Sequence, residues 1–206
     1  MTATIIENAD PARIADWIEE RLAAALARGD APVAITVPGG STPFPIFEAL
    51  VERELDFAQL VVWPGDDRVV PEDHVASNTG RIRALFEPAG AQVAQLSVME
   101  AVPHFALSWM GMGADGHIAS LFPNTDPRAD EERRVVRLTP DPLPPEAPFD
   151  RVSLTIHALL DADEVMFTLG GSEEKRAVFE AAMAGENDLP VARLLAAARR
   201  PVTCFA

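Results

Sequence analysis

The stretch GMGADGHIASLFP, residues 111–123, decides how the middle of the chain folds. The preceding residues 105–109, FALSW, form an apolar run typical of a buried strand. The glycines that follow predict a turn, and residues 116–122 predict a helix. Asp115 and His117 therefore lie at a corner between a strand and a helix. In open α/β sheets, ligands bind at such corners, outside the carboxyl ends of the strands.

The same order of strand, loop and helix recurs on both sides of this stretch. Strand patterns cover residues 32–37, 60–63 and 164–171, and helical patterns cover residues 10–29, 44–55, 77–86 and 172–185. This alternation predicts an α/β fold, with a doubly wound, mostly parallel sheet and helices on both faces. The proline-rich residues 139–150 predict a surface loop, so we expect residues 1–206 to form a single domain.

The charge of the chain limits its partners. The sequence has 17 basic and 32 acidic residues, a net charge of −15 at pH 7, which argues against nucleic acid and anionic membranes. No apolar run is long enough for a membrane span, and the first residues lack the pattern of a secretion signal. The single cysteine, Cys204, cannot form an internal disulfide. We therefore predict a cytoplasmic protein.

Residues 38–43, PGGSTP, join a predicted strand to a predicted helix. Glycines allow a ligand to approach the backbone, and a helix N-terminus presents unpaired N–H groups, which suits a phosphate. The candidate ligands in this loop are Gly39, Gly40, Ser41 and Thr42. A glycine turn with a helix cap, which requires no ligand, is the structural alternative.

A second loop, residues 65–78, also follows a predicted strand and is strongly charged. Asp66 and Arg68 lie nearest the end of the strand and are candidate site residues. Glu72 and Asp73 fit a solvated loop better. The histidine of this loop has no metal-ligand partner at helical spacing.

His117 is the strongest candidate for a catalytic base. It follows a glycine, precedes small residues, and has Asp115 close enough to orient its ring. A histidine that only packs or caps is the alternative interpretation, and it fits His104 and His157 better. The chain has no Gly-x-Ser-x-Gly elbow and no cysteine–histidine cluster, so we predict neither covalent nor zinc chemistry, and no metal or other cofactor.

Two cations complete the candidate site. Lys175 is the only lysine among seventeen basic residues, and it lies in the first turn of a predicted helix, whose N–H groups would help it to hold an anion. Arg151 opens the strand-like run RVSLTI. Chance placement of the lysine and a surface ion pair for the arginine are the alternatives.

Five loops agree with one family in order and character: VPGGSTP, WPGDDRVVPEDHVASN, GMGADGHIASLFP, RVSLT and GGSEEK. Over residues 33–175 the chain resembles the 6-phosphogluconolactonases, which belong to a larger group that includes glucosamine-6-phosphate deaminase. The resemblance implies a parallel-sheet fold of the deaminase and isomerase type and no metal requirement. It also implies hydrolysis of a small-molecule phosphosugar lactone, 6-phospho-D-glucono-1,5-lactone, in the oxidative pentose phosphate pathway.

The resemblance further assigns roles to single residues. It implies that His117 is the general base, that Asp115 is its neighbour, and that Arg68 is an active-site arginine. Arg151 and Lys175 are implied to be the cationic clamp on the phosphate. The full set of implied substrate-binding residues is Gly39, Gly40, Ser41, Thr42, Asp66, Arg151 and Lys175.

The chain departs from the family pattern at three places. Asp67 stands where the family usually has glutamate, and Ile118 stands where threonine usually follows the histidine. Only 32 residues separate Asn78 from Gly111, which predicts a trimmed helix near residues 97–109.

Three other functions compete with the lactonase. The related deaminase carries a glutamate shortly after the histidine, and the corresponding residue here is Phe122, which cannot exchange a proton. An aldose–ketose isomerase needs a base for the proton at C2, and Asp66 is the only spare candidate. A non-catalytic sugar-phosphate sensor would keep the phosphate loop without needing His117. Phe122 favours the lactonase.

Overall fold

The computed structural model describes residues 3–29, 32–145 and 147–206, and a parallel sheet forms its centre. The strands of the whole structure are β1 (Thr4–Ile6), β2 (Val33–Val37), β3 (Leu60–Pro64), β4 (Asp66–Arg68), β5 (Gln92–Val93), β6 (Phe105–Gly111), β7 (Val135–Leu138), β8 (Arg151–Leu154), β9 (Ala162–Thr168) and β10 (Val202–Phe205). Seven of them form the sheet in the order β1-β10-β9-β6-β2-β3-β5, with every neighbouring pair parallel. The predicted α/β sheet is confirmed.

The helices cover both faces of this sheet. They are α1 (Pro11–Ala27), α2 (Phe44–Val51), α3 (Asn78–Phe86), α4 (Ile156–Leu160), α5 (Glu173–Ala184) and α6 (Pro190–Ala197). One apolar cluster contains side chains of α1, α2 and α3, and a second cluster contains side chains of α4, α5 and α6. Because both faces of the central strands are covered, all five residues of β2 are buried.

Side-chain caps fix where three helices begin. Asp10 accepts a hydrogen bond from the backbone N–H of Arg13, and Ser77 accepts one from that of Gly80. Ser172 accepts one from the backbone N–H of Lys175, and α5 ends at a glycine in the left-handed region. Each side-chain oxygen satisfies an N–H group that the first helical turn leaves unpaired.

The helix predicted over residues 116–122 is wrong. Gly116 and Ala119 have positive φ values of 77° and 49°, which a right-handed helix does not allow. The segment instead forms turns, closed by the backbone N–H of Gly113 donating to the carbonyl of His117 and by short bridges at Ile118. A compact turn therefore presents Asp115 and His117.

A small antiparallel sheet, β4-β8-β7, adjoins the main sheet. It follows β3 after a single residue, Gly65, and its register pairs Asp66 with Ser153 and Arg68 with Arg151. The chain from Val93 to Phe105 contains no helix, as the short spacing predicted. Within the described ranges, no helix is long and apolar enough to cross a membrane.

Candidate active site

The loops that leave four neighbouring strands meet at one edge of the sheet. They follow β2, β3, β6 and β9, whose carboxyl ends lie side by side because the strands are parallel. Together they enclose a pocket of about 370 Å³, which includes most of the predicted site residues. Its lining consists of Pro38, Gly39, Gly40, Ser41, Thr42, Pro43, Asp66, Gly111, Met112, Gly113, His117, Ala119, Thr168 and Lys175.

The predicted phosphate loop forms one wall of this pocket. It runs from the end of β2 to Pro43, the residue before α2. No side chain caps this helix, and among the described residues we find no partner for the backbone N–H groups of Gly40, Ser41 and Thr42. Unpaired N–H groups at a helix N-terminus carry partial positive charge, so this wall is suited to an anion.

His117 and Asp115 form a hydrogen-bonded pair in the loop that follows β6. Nδ1 of His117 lies 2.6 Å from Oδ1 of Asp115, and the same oxygen accepts the backbone N–H of His117 at 3.2 Å. These bonds lower the pKa of Asp115 below its usual value, so the carboxylate is ionised at neutral pH. Since a carboxylate can only accept, Nδ1 carries the proton and Nε2 of the neutral ring has a free lone pair.

The room for this pair depends on Gly113. A Cβ atom there would lie 2.2 Å from Nδ1 of His117 and 2.5 Å from Oδ1 of Asp115, far inside van der Waals contact. Phe122 covers the ring of His117, with the two ring centroids 4.7 Å apart and the planes tilted by 35°. The side chain of His117 is 32% exposed, so it is held on two sides and remains accessible.

Asp66 brings a second carboxyl group to the pocket wall. Burial raises its pKa, and the hydroxyl of Ser120, which donates to Oδ2, opposes this effect. Ser120 is buried and lies in the same turn as His117, so it connects the loop after β3 to the loop after β6.

Asn78 is a site residue that the sequence analysis missed. Its amide nitrogen donates to the backbone carbonyl of Asp66 at 2.9 Å, and its Oδ1 accepts from the guanidinium of Arg68 at 2.8 Å. A Cβ atom on Gly39 would lie 2.0 Å from Cγ of Asn78, so this side chain also packs against the phosphate loop. The one signal in the sequence is that Ser77 already caps α3, which leaves the neighbouring asparagine free for another contact.

Arg68 lies behind Asn78 rather than in the pocket lining. It donates to the carbonyl of Ala76 and to Asn78, while its Nε is buried without a partner in the part of the chain described. Asp67 points elsewhere: its carboxylate accepts from the backbone N–H groups of Asn78 and Thr79 and thus anchors the start of α3. Asp67, one of the departures from the family pattern, therefore holds the start of α3 in place and does not line the pocket.

The two predicted clamp cations occupy different surroundings. Lys175 lines the pocket from the first turn of α5. Arg151 is buried, and its guanidinium donates to the backbone carbonyls of Phe149 and Ala147. Burial, together with the charge of Arg68, lowers the pKa of Arg151. Arg151 is absent from the pocket lining, and its part in the clamp stays a prediction.

Comparison with known proteins identifies relatives over most of the chain. A family model described as "Glucosamine-6-phosphate isomerases/6-phosphogluconolactonase" matches residues 8–100 and 87–203. A 6-phosphogluconolactonase of Neisseria meningitidis is 33% identical over 207 residues, which cover 88% of this chain and 87% of the relative. A 6-phosphogluconolactonase of Pseudomonas aeruginosa is 33% identical over 218 residues, which cover 92% and 87%.

A solved structure agrees with these matches at the level of the fold. The crystal structure of 6-phosphogluconolactonase from Thermotoga maritima superposes with a TM-score of 0.83 and covers 98% of both chains. The two sequences are 22% identical, so this similarity concerns the arrangement of strands and helices.

Proposed function

Because the chain belongs to the glucosamine-6-phosphate isomerase/6-phosphogluconolactonase family, we propose that it hydrolyses 6-phospho-D-glucono-1,5-lactone to 6-phosphogluconate. The observation that carries this proposal is the pairing of Asp115 with His117, which lines the same pocket as the unpaired N–H groups of the phosphate loop. One wall suits a phosphate and the other offers a base. A phosphorylated ester of suitable length would meet both.

The substrate phosphate would bind at the loop of Gly40, Ser41 and Thr42, and Lys175, which lines the same pocket, would supply a positive charge. The only lysine of the chain would then lie where a compact ammonium group could follow the phosphate oxygens. The lactone ring would then extend towards His117. Arg68 and Arg151 do not line the pocket. Arg68 would act through its hydrogen bond to Asn78, and both arginines would add positive charge near the site.

His117 would act as the general base for the attack of water. Nε2 takes a proton from the water molecule as its oxygen attacks the lactone carbonyl, which gives a tetrahedral oxyanion. The backbone N–H groups of the glycine turn or a nearby cation would stabilise this oxyanion. When the intermediate collapses, the bond from the carbonyl carbon to the ring oxygen breaks, and His117 returns the proton to that oxygen. The products are a carboxylate, a hydroxyl group and one released proton.

Phe122 weighs against the deaminase alternative. The ring of Phe122 lies against that of His117 at a tilt of 35°. By the resemblance, this is the position where the related deaminase carries a glutamate, and an aromatic ring can neither accept nor donate a proton. Asp66 supplies the one carboxyl group among the described residues that line the pocket, and burial raises its pKa. An isomerase would have to use it as the base at C2.

The test is the variant His117→Asn together with a panel of substrates. General-base catalysis contributes about 10²- to 10⁴-fold, so kcat should fall by that factor while binding of 6-phosphogluconate is retained. The wild-type protein should hydrolyse the lactone faster than its spontaneous rate, release no ammonia from glucosamine-6-phosphate and isomerise no phosphosugar. A variant within a few-fold of wild type would remove His117 from the mechanism, and binding without any turnover would identify a sensor.

A further inference from the structure

The net charge of −15 would repel an anionic substrate, so the positions of unneutralised cations matter. Within the residues that the structure describes, seven of the seventeen cations lack a carboxylate partner: Arg13, Arg68, Arg81, Arg151, Lys175, Arg199 and Arg200. Lys175 lines the pocket, and Arg68 and Arg151 support it from behind. Arg81, on α3, is the remaining cation that contacts a pocket loop.

Arg81 touches both ends of the phosphate loop. Its Nη1 donates to the backbone carbonyl of Gly39 at 3.4 Å, where the loop begins. Its guanidinium carbon lies 4.0 Å from the centroid of the Phe44 ring, in the first residue of α2, where the loop ends. One hydrogen bond and one cation–π contact use only part of a group that has five N–H donors.

We propose that Arg81 is a specificity-determining residue that selects for the phosphate group of the substrate. This inference rests on the proposed function only in placing a phosphate at the loop of residues 39–43. An anion on the N–H groups of that loop would lie beside a guanidinium that already spans the loop and has free donors on an exposed side chain. Arg81 would add positive charge at the rim, opposite the contribution of Lys175 from α5.

The competing role is purely structural, with Arg81 only holding the loop in shape. Two conservative variants separate the roles. Arg81→Gln keeps an amide that can donate to Gly39 but removes the charge, whereas Arg81→Lys keeps the charge but loses the planar group that stacks on Phe44. Arg200→Gln is the matched control, because it removes the same charge from an exposed arginine just before β10, at the opposite edge of the sheet.

The experiment is a calorimetric titration of each folded protein with inorganic phosphate at low ionic strength. Arg81→Gln should bind phosphate more weakly by on the order of tenfold, while Arg81→Lys and Arg200→Gln should stay within about threefold of wild type. The loss in Arg81→Gln should shrink as salt is added. Binding by Arg81→Gln within twofold of wild type, a larger loss in Arg81→Lys, or no phosphate binding by wild type would each overturn the proposal.

Steady-state kinetics give a second measurement. Arg81→Gln should raise KM for the phosphorylated lactone by a similar factor and leave kcat, and the hydrolysis of unphosphorylated gluconolactone, unchanged. An equal change for both lactones would mean that Arg81 only supports the loop. If the protein hydrolyses neither lactone, the proposed function fails, but the phosphate titration still decides the role of Arg81.

Discussion

Gly113→Ala tests whether the pairing of His117 with Asp115 matters for catalysis without changing either residue. The added methyl group would lie 2.2 Å from Nδ1 and 2.3 Å from Cε1 of His117. Gly113 is not among the residues with positive φ, so its backbone allows alanine, and the three atoms nearest to the added methyl group belong to the side chains of His117 and Asp115. The imidazole therefore has to move.

The size of the effect follows from that distance. Ordinary contact between carbon and nitrogen is about 3.5 Å, so the ring must shift by more than about 1 Å. A shift of this size breaks the 2.6 Å hydrogen bond to Asp115, which fixes the position of Nε2. Misplacement of a catalytic group by about 1 Å costs about 10²-fold in rate, equal to about 2.7 kcal/mol in the activation free energy. We expect kcat to fall by this factor and KM to change by no more than a few-fold.

The assay is proton release during lactone hydrolysis in weakly buffered solution, after subtraction of the spontaneous rate. Gly65→Ala is the matched control, because its Cβ would meet only ordinary contacts, 3.5 Å from the carbonyl oxygen of Val37 and 3.6 Å from Oγ1 of Thr36. A folded Gly113→Ala protein with kcat within threefold of wild type would refute the reasoning. So would an equal loss in Gly65→Ala.

Two further predictions concern charge. Lys175→Ala should raise KM for the phosphorylated lactone by about tenfold or more and leave the unfolding midpoint unchanged. Arg151→Ala should also lower the unfolding free energy by about 1–3 kcal/mol, because it removes a buried guanidinium and leaves the partly buried carbonyls of Ala147 and Phe149 without their donor. Equal effects of both variants on KM and on stability would contradict this. Burial opposes the charge of His104, yet its bonds to Asp161 and Asp163 raise its pKa. Its stabilising effect is complete below the unfolded pKa of ~6.5 and disappears as pH rises through the folded value, so in urea unfolding His104→Gln should cost less than about 1 kcal/mol at pH 6 and nothing at pH 9. An equal difference at both pH values would contradict it.

The position of the site could be predicted because it depends on the order of strands and loops. Apolar runs such as β2 and β6 identify buried parallel strands, and the carboxyl ends of such strands meet at one edge. Polar residues in the loops that follow these strands are then candidates for the pocket. Gly39, Asp66 and His117 follow three different strands, and all three line the same pocket. That residues 1–206 form a single domain stays a prediction.

The turn over residues 116–122 could not be predicted in this way. Ile118, Leu121 and Phe122 lie at spacings that fit one face of a helix, so the apolar pattern favours the wrong structure. The positive φ of Ala119 has no signal in an alanine side chain. Tertiary contacts decide the local structure here, because Ile118 is fully buried in the core.

The contributions of α3 were missed for a different reason. Asn78 and Arg81 lie within a helix and reach the phosphate loop only because α3 packs beside it. A sequence pattern identifies the start of this helix from Ser77 but does not give its orientation. The same holds for Asp67, whose carboxylate binds backbone N–H groups ten or more residues away.

The surroundings of His117 connect these observations to the choice of reaction. Asp115 occupies Nδ1, and Phe122 lies against the ring, so Nε2 is the one nitrogen free to exchange a proton. Hydrolysis of a lactone needs no second group that exchanges protons, because the proton taken from water returns to the ring oxygen that leaves. Moving a hydrogen between neighbouring carbons, or opening an amino sugar, needs a second group that exchanges protons beside the histidine. An aromatic ring at Phe122 excludes such a group from that position, and this favours simple hydrolysis over the other reactions of the family.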